Sequence, residues 1–63
     1  MSLQVRVQEY MLHSRYALIA EVRRQMRLAR FPLEVIYEFE RRASCAGEDF
    51  LSVAREFVEV IFP

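Results

Sequence analysis

The run Tyr10–Phe31, YMLHSRYALIAEVRRQMRLARF, is 22 residues long and contains neither Gly nor Pro. Its apolar residues recur at helical steps. Met11, Leu12, Leu18, Ile19, Val22, Met26 and Ala29 fall on one side, with Glu9, His13, Arg24 and Arg27 opposite. Tyr10, Ala17 and Leu28 occupy a third sector, so the apolar surface is wider than one stripe. A helix that touches two neighbours has this pattern. At 1.5 Å per residue the run would span about 33 Å, long enough for shorter helices to lie along it.

Two breaks follow. Phe31-Pro32 ends the first helix, because Pro disfavours the α conformation in the residue before it and suits the first position of a new helix. The second helix, PLEVIYEFERRA, is expected to turn Leu33, Ile36, Tyr37 and Phe39 inward with Val35 to the side. Ser44-Cys45-Ala46-Gly47 contains the only Gly and forms the second break. Glu48 and Asp49 then favour a helix start. In the third helix Phe50, Val53, Ala54, Phe57, Val58 and Ile61 keep a helical period. The expected fold is all-α: a small bundle with a long first helix at about 8–30 and shorter ones at about 32–43 and 48–61, in a single domain 1–63.

Two short segments carry a second pattern. LQVRV at 3–7 alternates apolar and polar residues as a strand does, and Val58–Phe62, VEVIF, is the only candidate partner. Each also continues an adjacent helix, and the helical reading is preferred for both, with 2–8 the less settled.

A chain of 63 residues buries only about 60% of the surface it exposes when unfolded, which leaves a monomer marginally stable. Such chains draw stability from disulfides, metals or oligomerisation. One Cys excludes an internal disulfide, and one Cys with one His cannot complete a structural zinc site. With 54% hydrophobic residues, the surplus apolar surface points to a homodimer or a dedicated protein partner. The free thiol, the absence of a signal-peptide pattern in MSLQVRVQEY and the lack of a long apolar run give the expectation of a cytoplasmic protein without a membrane span.

Charge is segregated although the net charge is zero. Residues 1–31 hold six Arg and two Glu, whereas residues 32–63 hold three Arg and seven acids, giving +4 and −4. Arg23, Arg24, Arg27 and Arg30 form a basic edge on the first helix. Such an edge either binds an anionic partner or pairs with Glu34, Glu38, Glu56 or Glu59. The neutral total and pI near 6.6 disfavour nucleic acid. A helix-turn-helix reading would place the acidic third helix against phosphates, which would repel it. Arg15, on the apolar side, either lays its stem along that surface or anchors a partner.

No catalytic or cofactor-binding signature is present. His13 lies one turn after Glu9 as an isolated histidine, Cys45 has acidic neighbours and no nearby base, and Glu34 with Glu38 lacks room for an enclosed pocket. Neither a phosphate loop, GxSxG nor HExxH occurs. The general plan resembles that of many small bacterial or phage regulatory proteins. The expectation is a non-enzymatic protein, without cofactor or small-molecule substrate, that binds and modulates another protein as an inhibitor or adaptor. Arg15, Arg23, Arg24, Arg27, Arg30, Tyr37, Phe39 and Phe62 are the candidate contact residues. A dimeric nucleic-acid regulator and a structural subunit of a larger assembly are the alternatives.

Overall fold

Ser14 divides the long Gly- and Pro-free run. In the computed structural model, which describes residues 3–62 with the side chain of Glu48 excepted, Ser14 has extended geometry (φ −133°, ψ 100°). Its hydroxyl accepts a hydrogen bond from the Ala17 N–H at 3.3 Å, the arrangement of a helix N-cap. The first α-helix, α1, therefore covers Arg15–Leu28, and Glu9–His13 before it form a short 3-10 turn. One long helix at 8–30 was expected; the cap replaces it with two elements, because Ser competes for backbone donors in non-helical geometry. Ser14→Ala is expected to lower stability by about 1 kcal/mol, measurable by chemical denaturation.

α1 closes in a Schellman motif. Phe31 N–H bonds Met26 C=O at 3.0 Å and Arg30 N–H bonds Arg27 C=O at 3.0 Å, with Arg30 left-handed at φ 63°. Gly normally occupies this position, since a side chain there costs about 1–2 kcal/mol. Arg30→Gly is expected to raise stability by about 0.5–1 kcal/mol, after allowing for the greater freedom of Gly in the unfolded chain. A thermal melt at fixed concentration would detect it.

The second helix, α2, spans Leu33–Cys45, and the third, α3, spans Phe50–Phe57 after a one-turn 3-10 segment at Gly47–Asp49. α2 packs against both α1 and α3, which meet each other far less. Its buried stripe is Ile36, Phe39 and Ala43, all with no exposed surface. Tyr37 lies about 100° around the helix from Ile36, and Leu33 opens α2 beside the interhelical turn; both are 55% exposed rather than inward as expected. Phe39 meets the Phe57 ring edge-on, with centroids 5.5 Å apart.

The molecule is mostly helical, with a small strand pair added. Strand β1, Gln4–Arg6, runs parallel to strand β2, Glu59–Ile61, in the register Gln4–Glu59, Val5–Val60 and Arg6–Ile61. Both segments were expected to be helical, and the pairing corrects that; Ser2, at the edge of the 2–8 stretch, lies outside the described residues. α3 ends because the Glu59 N–H bonds the Leu3 carbonyl at 2.8 Å instead of a helical acceptor. Parallel strands need a long crossover, and here the helical body supplies it. Val5 and Val7, each 1% exposed, project from one face of the β1 segment into the helical core. Gln4 and Arg6 alternate with them and are exposed.

Candidate protein-binding surface

Ion pairing decides which arginines are available for a partner. Arg24 donates to both oxygens of Glu21 within α1, at 3.2 and 3.0 Å. Arg23 reaches across to α2, with Nη1 3.9 Å from Glu40 Oε1, an oxygen that is buried and accepts no hydrogen bond. Arg41 Nη2 donates to both oxygens of Glu38 at 2.7 and 2.8 Å. Arg42 joins α2 to α3 by donating to Glu56 at 2.8 Å, and its guanidinium lies 5.7 Å from the Phe57 ring centroid. Among the described residues, Arg27 and Arg30 take part in no ion pair.

The Arg24 guanidinium, and then the Gln25 amide, hold the Glu21 carboxyl below its ordinary pKa. Arg41 does the same for Glu38, and Arg42 for Glu56. A lowered folded-state pKa adds stability above the unfolded value that disappears as pH falls through the folded value. Stability should therefore decline as pH drops below the ordinary glutamate range. The decline should flatten in 1 M salt, because these pairs face solvent; acid titrations monitored by circular dichroism at two salt concentrations test this.

The remaining surface carries large apolar side chains. Tyr10 (61% exposed), Tyr16 (77%), Leu28 (66%), Leu33 (55%), Tyr37 (55%) and Phe62 (41%) stand out from the core. Leu28 is the last residue of α1 and Leu33 the first of α2, so the turn between them brings both to one end of the bundle. Tyr37 follows Leu33 by one helical turn on the same face. Arg27 and Arg30 flank this end. Exposed Tyr beside unpaired Arg matches the residue chemistry of protein interfaces, and the two exposed Leu add apolar area to the patch.

The expected contact residues thus divide. Arg27 lies in the last turn of α1, Arg30 in the α1–α2 turn and Tyr37 one turn into α2, all of them exposed. Arg15 is half-buried, with its guanidinium 5.4 Å from the Tyr16 ring centroid. Phe62 lies elsewhere, after β2, under the Arg55 guanidinium at 5.4 Å. Arg23 and Arg24 are held by carboxylates. Phe39, expected to be a contact, has no exposed surface and is a core residue. Leu28, Leu33 and Tyr16 were not singled out as contact residues. Only the width of the apolar surface hinted at Leu28, because helical phase does not reveal where a neighbouring helix stops.

Among the described residues, no group of three or more His, Cys, Asp or Glu is placed to hold a metal ion. None of the described helices is long and apolar enough to cross a membrane. No protein-family model, curated protein or solved structure matches the chain.

Proposed function

We propose that the chain is a non-enzymatic helical interaction protein that works as a homodimer and modulates another protein by covering part of its surface. The partner docks at the α1–α2 turn, on Leu28, Leu33 and Tyr37, with Arg27 and Arg30 at the rim. The observation that carries this reading is the exposure of those apolar side chains beside arginines that no carboxylate occupies. Inhibitor and adaptor roles share this mechanism of occlusion.

The test is capture from the native host with immobilised wild type and with a Leu33→Asp, Tyr37→Asp variant that retains its circular dichroism. The expected result is a protein retained by the wild type and lost by the variant. An identical captured set, or none, would contradict the proposed surface. Nucleic acid is the second reading, favoured by the same unpaired Arg27 and Arg30. It requires retention of nucleic acid at low salt that weakens steeply as salt rises.

A further inference from the structure

Among the described residues nothing further pairs with either edge of the two-stranded sheet, and the two edges differ. The register, with Glu59 N–H bonded to Leu3 C=O at 2.8 Å and Val7 N–H bonded to Ile61 C=O at 3.0 Å, directs the peptide groups of Glu59 and Ile61 toward β1. The N–H and C=O of Val60 therefore point to the opposite side, together with the Val58 C=O and the Phe62 N–H. The Val58 N–H is already taken by Ala54 C=O at 3.0 Å. This outer edge borders an open groove of about 530 Å³, lined by Arg55, Glu56, Phe57, Val58, Glu59 and Val60. The edge of β1 instead presents exposed Gln4 and Arg6, and charge on an edge strand discourages further pairing.

We infer that the homodimer forms by antiparallel pairing of the β2 edge with the same edge of a second copy, about a two-fold axis at Val60. This inference rests on the self-association proposed above, and not on the partner surface at the α1–α2 turn. The free groups are self-complementary. Val60 exchanges both of its hydrogen bonds with the partner's Val60, as in a hydrogen-bonded antiparallel pair. The Phe62 N–H donates to the C=O of the partner's Val58, and the reciprocal bond forms by symmetry. The Val58 N–H stays on Ala54, so each end of the ladder carries one bond instead of two. Glu59 comes opposite the partner's Ile61, so no like charges oppose each other. Phe62, 41% exposed, is covered further by the partner strand, while Val58 stays in its own core at 4% exposure. An isologous contact of this kind closes on itself, whereas pairing β2 with the β1 edge of another copy would continue into fibres.

Val60→Pro tests the inference, because it removes an outward N–H and leaves the Glu59 and Ile61 ladder bonds to β1 intact, at the cost of some packing by the partly buried Val60 side chain. By light scattering, the wild type and Arg6→Pro, altered on the opposite edge, should each have twice the monomer mass of 7.6 kDa, and Val60→Pro the monomer mass. Amide exchange of the wild type should show Val60 and Phe62 protected at dimer concentrations and open on dilution. That measurement decides the matter if Val60→Pro does not fold. A monomeric wild type, or a dimer whose Val60 amide exchanges freely, overturns the inference. A monomer that still captures its protein at the α1–α2 turn overturns this inference together with the proposed self-association and leaves the partner surface standing, whereas a β2-paired dimer that captures none overturns only the partner surface.

Discussion

Phe39→Ala should cost about 3–5 kcal/mol, since it deletes a large aromatic side chain from a site that cannot collapse around the loss. Phe39 has no exposed surface, lies on the buried stripe of α2, and has Phe57 of α3 against its ring. Domain stability is about 0.05–0.15 kcal/mol per residue, so a chain of this size has roughly 3–9 kcal/mol in total. The variant should be largely unfolded, with weak helical circular dichroism and no sharp melting transition. A loss below about 1 kcal/mol would mean that Phe39 is not enclosed in the core.

The second large effect concerns the strands. Val5→Pro should cost at least about 2 kcal/mol, because it removes the N–H that faces the Glu59 carbonyl and leaves that carbonyl without its partner. It also disturbs a side chain that is 1% exposed. Arg6→Pro should cost far less, since the Arg6 N–H points away from β2. Parallel pairing thus predicts a sharp difference between adjacent residues. If residues 3–7 were the start of a helix, the two substitutions would have similar effects. Denaturant midpoints of the two variants, measured side by side, distinguish these outcomes.

Much of the helical architecture was legible in the sequence. Phe31-Pro32 marks the α1–α2 turn, and the Gly47 region marks the break before α3. The buried stripe of α3 follows its apolar period. The strands were visible only as an ambiguity. LQVRV and VEVIF each fit a strand, but each also extends a neighbouring helix. Only pairing over a separation of 55 residues resolves the choice, and no local signal reports such pairing. Ser14 did carry a local signal, as a residue type that caps helices, but the absence of Gly and Pro masked it. For the candidate surface, the Arg edge was legible while its partition was not. Glu21 and Glu40 hold Arg24 and Arg23, where the acids expected to pair were Glu34, Glu38, Glu56 and Glu59. Leu33 read as a core residue, and Tyr37 as both inward and a candidate contact, because periodicity gives the phase of a helix and not the extent of its neighbours.

The whole arrangement depends on a parallel β1–β2 pair that joins the ends of the helical body. Amide hydrogen exchange, read residue by residue along 3–7, tests it most directly. The pairing predicts alternation, with Val5 and Val7 protected and Gln4 and Arg6 exchanging rapidly. Continuous protection through Gln4, Val5, Arg6 and Val7, or protection at none of them, would contradict it.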